Sequence, residues 1–599
     1  MAEGQPFGRW LLNTQLPSGF KVNSPVGKKR LNQMMNDLAR KDPTQYTTTI
    51  AGLKRLGDEL ATQEGLSIGL DDIEPEYRKR DAQMRPFRQK FQAARTTAQK
   101  RQILEQLHGK ITDAAMKHRG SLTQQVQSGA RGSPTQYMKI VGSPVYARDA
   151  NGKVTPWLIP RSYSEGLSAA DYWAAGNEAI SDTIKSSTAV SEPGELSKIL
   201  INNMNDIVVT EQDCGTVNGI LMDPKNPDVQ DRYLARSEGG VRKDTLISPQ
   251  VQARLAKSKK KILVRSPMTC EAGDGVCQKC QGLNERGNLH TVGTNVGIRA
   301  AQAMAEPLTQ FALNAKHGVR TAKSDRLQVH GMQGFRQMTE SPRQFMNKAT
   351  LAGEEGKVTK IEKAPQGGHF VYVGSTKHYV TPNINVVAKV GQKVERGDAL
   401  SGGIPKPDEV VAFKGLGAGR RYMVDTLKEL YKNQGRNLDQ RHFELLAKGE
   451  LNHVRIVDDP GRNFIPGDIV DYNHFRSILR GNTKTLPLTQ ARGETLGKEH
   501  LHFSAGTRVT PSVERALHKE KIKDVIIAPR APEVEFVMKP ATRAPLLNPD
   551  WMARLAHRNL KTTLQQAAHF GDVTNVHGTN PIPAYVFGVE FGQGEEGRY

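Results

Sequence analysis

The sequence predicts a multidomain α+β protein, and three observations point there. At 599 residues the chain exceeds one ordinary domain and suggests roughly three to five. Residues 76–127 are poor in glycine and repeat apolar side chains at three- and four-residue steps, the period of an amphipathic helix. Residues 351–414 switch to a β pattern, in which HFVYV and KHYV are separated by glycine turns.

Residues 1–75 mix short apolar runs with turn signals, and GLSIGLDDIEP (65–75) reads as an alternating strand-like segment followed by an acidic turn. In 76–127 the repeat runs through Ile103, Leu104, Leu107, Ile111, Ala114 and Ala115, and a break near Thr96 and Thr97 folds it into a helical hairpin. Residues 128–161 are glycine-rich and read as loop. Residues 165–205 read as helical with an interruption at Pro193-Gly194, because proline removes a backbone donor and clashes with the preceding turn. Residues 207–290 place cysteines in loops between short strands, and 295–317 is helical. Helical periodicity returns over 419–448, and the last 130 or so residues mix strands and helices without a repeat.

Lysine and arginine number 84 against 62 acidic residues, leaving +22. That excess suits a polyanionic partner, most simply nucleic acid, or equally a basic surface packed on acidic subunits. Apolar residues make up 37% and aromatics only 6%, so the cores rest on aliphatic side chains. No apolar run reaches about 18 residues, the length of a membrane span. The first residues lack a signal-peptide pattern, which leads to the expectation of a cytoplasmic protein.

Four cysteines occur, Cys214, Cys270, Cys277 and Cys280, in the arrangement C-x55-C-x6-C-x2-C. A CxxC pair puts two sulfurs on one tight turn, where they can share a tetrahedral ion. Four thiolates suit a closed structural zinc, whose binding would form part of the folding free energy. The plainer reading is four free, buried cysteines.

The residues around these cysteines are more specific than their spacing. TEQDCGT (210–216) and RSPMTCEAGDGVCQKCQG (265–282) resemble the zinc-binding region of the β′ subunit of bacterial RNA polymerase. VGIRAAQAMAEPLTQFALNAKH (296–317) is similar to that family's segment leading into the trigger loop. SGARGS (128–133) and SEGLSAADYW (164–173) resemble the stretches before the bridge helix, and PFGRWLLNTQLPSGF (6–20) its G-R-x-x-x-N-x-x-L-P-x-G-F stretch. KVERGDALSGGIPKPDEVVAFKG, RRYMVDTLKELYKNQG and VDDPG resemble the part after the trigger loop. The collinear motifs cover about residues 6–461. The family's N-A-D-F-D-G-D, whose aspartates hold the catalytic magnesium, is absent from these residues.

The resemblance implies the carboxy-terminal part of a split β′ subunit. A bacteriophage source is the first expectation and a cyanobacterial or plastid type of split the second. It also implies a set of modules. Residues 1–75 would follow the missing active-site domain and include an F-loop-like region, and 76–127 would form the hairpin at the secondary-channel rim. Residues 128–206 would hold the SGARGS segment and the bridge helix, 207–294 the zinc module, and 295–350 the trigger loop and its flanks. A β-rich module would occupy 351–414, and a clamp- and jaw-associated region 415–599. His317 matches the trigger-helix histidine near the β-phosphate, a positional or acid catalyst. Gln310 matches the glutamine that contacts ribose. Leu313 stands where a methionine packs on the base, and Asn314 where bacteria have arginine. Lys316, Arg299 and Ala305 depart from the family pattern. Arg131 either faces the nucleotide pathway or serves as a structural donor. Asp182-Thr183 sits about three residues early against the family's D-T pair, so no catalytic residue is assigned to the bridge helix.

The implied cofactors are one structural zinc and a magnesium held by a partner chain. The implied partners are the amino-terminal β′ chain with its aspartates, β-like subunits, template DNA, transcript RNA and nucleoside triphosphates, with no membrane. If the source is viral, the cytoplasm is the host's, and packaging in a virion stays open. Two other readings remain: a non-catalytic zinc protein that binds nucleic acid, and an inhibitor that mimics β′.

Overall fold

The computed structural model describes residues 6–65, 68–75, 77–118, 120–149, 153–188, 191–257, 260–273, 275–314, 331–481, 483–548, 551–555 and 560–573. The chain divides into two compact units, residues 1–187 and 188–599. No helix among the described residues is long and apolar enough to cross a membrane.

The first unit is helical. Helices α1 (Phe7–Gln15), α2 (Lys28–Lys41) and α3 (Pro43–Glu64) enclose a small core of Leu16, Val22, Met35 and Leu38. Asp42 starts α3 by accepting from the Gln45 N–H, with Pro43 in the first turn, where its missing donor costs nothing. Within 65–75 the expected acidic turn is present, whereas the described residues before it form no strand. Leu70–Ile73 is a 3₁₀ turn, and the Asp72 carboxylate accepts from the Gly69 and Ser121 N–H groups. Acidic side chains beside free amides favour a cap over a strand.

Helices α4 (Tyr77–Ala93) and α5 (Thr97–Ala115) form the expected hairpin. Thr96 caps α5 in a reciprocal pair with Gln99. Leu104, Leu107, Ile111 and Ala115 fall on one face of α5 and bury against Met84 of α4. They also meet Tyr137, Met138 and Val141 of a helix, where the glycine-rich sequence of 128–161 predicts loop. After α6 (Ser121–Ser128), Ser133 caps and Pro134 opens α7 (Pro134–Val141). Arg80, almost fully enclosed, pairs with Glu165 and ties the hairpin to the loop before α8 (Ala169–Thr188).

In the second unit α9 (Ser191–Met204) begins two residues before Pro193. The helix runs through Pro193-Gly194 without the expected interruption, because the first helical turn tolerates proline. The short strands β1 (Val209–Glu211) and β2 (Ile220–Met222) follow. Next come α10 (Pro249–Ala256), β3 (Ile262–Val264), β4 (Val276–Cys277) and the single turn α11 (Gln278–Gln281). β1 runs parallel to β4, and β2 antiparallel to β3.

Helix α12 (Val296–Asn314) packs on α9, and α13 (Gly331–Glu340) follows. At Gly297 the approach is so close that a Cβ would lie 1.9 Å from the Met204 carbonyl oxygen, which only glycine permits. A four-stranded antiparallel sheet then forms, in the order β7-β6-β5-β8. Its strands are β5 (Gly356–Lys363), β6 (His369–Val373), β7 (Thr376–Val380) and β8 (Lys393–Val394). Its inner face buries Val358, Val371, Val373, Val380 and Val394.

The β pattern was expected to run to residue 414, but α14 (Pro407–Lys414) is a helix, opened by proline and by Asp408 and Glu409 in its first turn. The helical stretch 419–448 is two helices, α15 (Leu416–Asn433) and α16 (Gln440–Glu450), the second capped by Asp439. Phe311, Phe335 and Phe443 each set a ring edge-on to the buried Tyr431, whose hydroxyl donates to the Met304 carbonyl at 2.7 Å. A three-stranded sheet, β10 (Ile469–Asp471), β9 (His453–Asp458) and β11 (Glu533–Val537), flanks this core. Helix α17 (Tyr472–Leu479) follows β10.

Candidate metal centre and the end of helix α12

The four cysteines converge although they come from separate elements. Cys214 follows β1, Cys270 follows a 3₁₀ turn after β3, Cys277 closes β4 and Cys280 lies in α11. Their sulfurs all lie within 4.8 Å of one another. Cys214 Sγ stands 3.7 Å from Cys270 Sγ and 3.7 Å from Cys280 Sγ. Four sulfurs at about 2.3 Å from a tetrahedral zinc would be separated by about 3.8 Å, so the site fits such an ion. No disulfide forms.

The backbone is arranged for thiolates. The Cys277 N–H donates to Cys270 Sγ at 3.3 Å, and the Cys280 N–H to Cys277 Sγ at 3.3 Å. Gly275 makes the turn into β4 with φ of 69°, and a Cβ there would lie 2.0 Å from the Val208 carbonyl oxygen. Hydrogen bonds from the neighbouring thiols pull Cys214 below the ordinary cysteine range, whereas burial pushes Cys280 up. Four enclosed thiols cannot all ionise unless a cation shares their space.

Two basic side chains answer that charge. Arg265 is fully buried and donates from Nη2 to Cys214 Sγ at 3.3 Å, while pairing with Asp213 at 2.7 Å and Asp244 at 3.0 Å. Burial opposes its charge, yet the sulfurs of Cys280 and Cys214 and the Asp213 carboxylate hold the guanidinium firmly protonated. Lys448 of α16 is the second. Burial lowers its ammonium, and the sulfurs of Cys270 and Cys280 act against that. Behind the centre, Arg232 and Glu444 form an ion pair with no exposure on either side chain, at 2.9 and 2.7 Å. Ser266 and Gln440 also donate to Glu444, at 2.7 and 2.9 Å. This network bolts the cysteine loops to α16.

Sequence reasoning assembled the four sulfurs but missed Arg265, Lys448 and the Arg232–Glu444 pair. Arg265 and Asp213 sit inside the quoted motifs, next to or five residues before a cysteine, so a signal was present. Lys448 and Glu444 arrive from a distant helix and left none.

The other expected site residues fare differently. Gln310, Leu313 and Asn314 fall in the last two turns of α12, which carries Pro307 inside the helix. His317 lies outside the described residues. Arg131 is exposed in the turn between α6 and α7, and its backbone N–H donates to the Gln125 carbonyl at 3.3 Å. Asp459 closes a turn, accepting from the N–H groups of Gly461, Asn463 and Phe464 at 2.6–2.9 Å.

Comparison with known proteins places this architecture. The family described as RNA polymerase Rpb1, domain 5, matches residues 166–467, which contain the four cysteines and all of α12. The chain is 29% identical over 532 residues to the DNA-directed RNA polymerase subunit beta′ of Salinispora tropica, covering 80% of this chain and 40% of the relative. It is 27% identical over 525 residues to that of Thermobifida fusca, with the same coverage. With that of Kineococcus radiotolerans it shares 26% over 518 residues. The chain thus spans about 40% of the length of the curated relatives it matches. The family match over half of its length makes this chain a member of the RNA polymerase Rpb1 domain 5 family, β′-like over most of its residues.

Proposed function

We propose that the chain acts as the carboxy-terminal β′-like part of a multisubunit, DNA-dependent RNA polymerase and supplies the bridge helix and trigger loop for template-directed nucleotidyl transfer. The observation that carries this reading is the β′ likeness over 80% of the chain, running through the cysteine loops and α12. In this reading α8 and α9 correspond to the bridge helix, and the end of α12 with the residues after it to the trigger loop. The magnesium-binding aspartates lie outside these residues, on the chain that carries the N-A-D-F-D-G-D signature. β-like subunits, DNA, RNA and nucleoside triphosphates complete the complex.

Cys214, Cys270, Cys277 and Cys280 would hold one zinc. It supplies structure and not chemistry, since four sulfurs close its coordination. Arg265 and Lys448 would offset the negative charge that remains when four thiolates share a divalent ion. The chain's own part in the reaction falls to residues 310–317. Gln310 would contact the ribose, Leu313 the base, and Asn314 the sugar edge. His317 would stabilise charge developing on the leaving phosphate once the helix closes. Arg131 would lie along the nucleotide pathway.

Single-nucleotide addition on a preformed scaffold by the assembled enzyme tests this assignment. His317→Ala should slow addition by about 10²–10⁴-fold while leaving assembly and DNA binding intact. An unchanged rate at saturating nucleotide would overturn the trigger-loop assignment.

A further inference from the structure

The four-stranded sheet of β5–β8 buries its valines on one side and leaves a second face that the polymerase reading does not use. Register decides which side chains share that face. Lys360 pairs with Tyr372, and Tyr372 with Lys377 across the next strand. Glu362 pairs with Phe370, and Phe370 with Tyr379. Lys357 stands directly opposite Lys393. Side chains alternate along a strand, and the irregularity between Val358 and Lys360 shifts that alternation by one residue, so these residues lie together, opposite the buried Val358, Val371 and Val394. The outer face therefore carries three aromatic rings on two neighbouring strands, flanked by four lysines and a single acid.

Its charge is not internally balanced. Glu362 pairs with Lys360 and accepts from the Tyr372 hydroxyl at 2.6 Å, and is thereby spent. Among the described residues no ion pair neutralises Lys357, Lys377 or Lys393, and all three are exposed. Like charges directly opposite across a ladder are destabilising, so the Lys357–Lys393 pairing is a standing cost that an anion would relieve. Lys377 rests its ammonium 3.6 Å from the centre of the Phe370 ring, and the Phe370 and Tyr379 rings stand 5.5 Å apart. Tyr379 is exposed.

We infer that this outer face of the β5–β8 sheet binds single-stranded nucleic acid, with Phe370, Tyr372 and Tyr379 stacking unpaired bases and Lys357, Lys377 and Lys393 holding the phosphates. The rings select this occupant over an acidic protein segment. An acidic peptide would use the lysines and ignore the rings, whereas every unpaired base has a π-face that stacks on them. The rings select single strands over duplex for the same reason, since paired bases are already stacked. The inference goes beyond the polymerase reading and does not depend on it.

The test uses the full chain and a short oligothymidylate carrying 5-iodouracil, with photocrosslinks mapped by mass spectrometry. Crosslinks are expected at Phe370, Tyr372 or Tyr379. The triple variant Phe370→Leu/Tyr372→Leu/Tyr379→Leu should lose them and bind at least about tenfold more weakly, given what base–aromatic stacking contributes. Melting temperature and metal content report whether that variant folds. If it does not, Lys357→Ser/Lys393→Ser decides: it should melt no lower than the parent, bind more weakly and show a shallower salt dependence. Crosslinks confined to other surfaces, or oligothymidylate binding unchanged in the folded variants, would overturn the inference. So would polyglutamate competing as well as oligothymidylate, which would assign the face to an acidic protein segment.

Discussion

Removing the Glu444 carboxylate should be among the most damaging single changes in the second unit. Glu444→Ala strands the Arg232 guanidinium, which has no exposure to water and gives two hydrogen bonds, of 2.9 and 2.7 Å, to that carboxylate. It also deprives Ser266 and Gln440 of an acceptor. Breaking one partner of a buried pair costs about 3–5 kcal/mol, because the remaining charge stays buried and uncompensated. Replacing both partners by apolar groups of similar volume is often close to neutral. Arg232→Met/Glu444→Met should therefore recover most of the loss. Hydrogen exchange of the amides in β3 and α16, followed in the full chain with urea unfolding in parallel, reads both variants. A Glu444→Ala cost below about 1 kcal/mol would refute the reasoning, since it falls short of a broken buried pair. A double variant as unstable as the single one would refute it too.

Further outcomes follow from other parts of the structure. Cys277→Ser/Cys280→Ser should abolish zinc binding and loosen residues 207–294, read by metal analysis and proteolysis, and full zinc retention would exclude this ligand set. Burial pulls His453 and His502 down to about 4 from an ordinary 6.5, and the buried Nδ1 of each has no hydrogen-bond partner among the described residues. Between those values the unfolded chain takes up protons that the folded chain refuses, so stability falls as the pH drops from about 6.5 to about 4. His453→Gln/His502→Gln should flatten that slope in thermal melts at stepped pH. Gln310→Ala should mainly raise the nucleotide concentration needed for half-maximal addition and weaken ribose discrimination, with a smaller effect on the maximal rate.

The sequence was legible where a local pattern and a buried partner agree. The α5 stripe from Leu104 to Ala115 could be read because its helical period is also its burial period. The cysteine cluster could be read because sulfur spacing constrains coordination directly. Reading failed where a short capped helix was averaged into its surroundings. Ser133-Pro134 and Pro407-Asp408-Glu409 are helix starts, yet the eight-residue helices they open are too short for their period to stand out from the loop and strand patterns around them. Pro193 reads as a helix breaker only if the helix starts well before it, and α9 starts two residues before it. Lys448 and Glu444 could not be found at all, because their role comes from the docking of α16 against loops far away in sequence. The end of α12 was legible only by resemblance: Gln310 and Asn314 carry no pattern that composition alone would single out.

The central claim is tested most directly by reconstitution. This chain should be combined with a chain that carries the N-A-D-F-D-G-D signature and with β-like subunits, and RNA synthesis measured on a template with a preformed primer. Template-directed synthesis that requires both this chain and the aspartate-bearing chain, and that is absent with either alone, is the predicted result. Synthesis that proceeds equally well without this chain, or that is suppressed when it is added, would contradict the account.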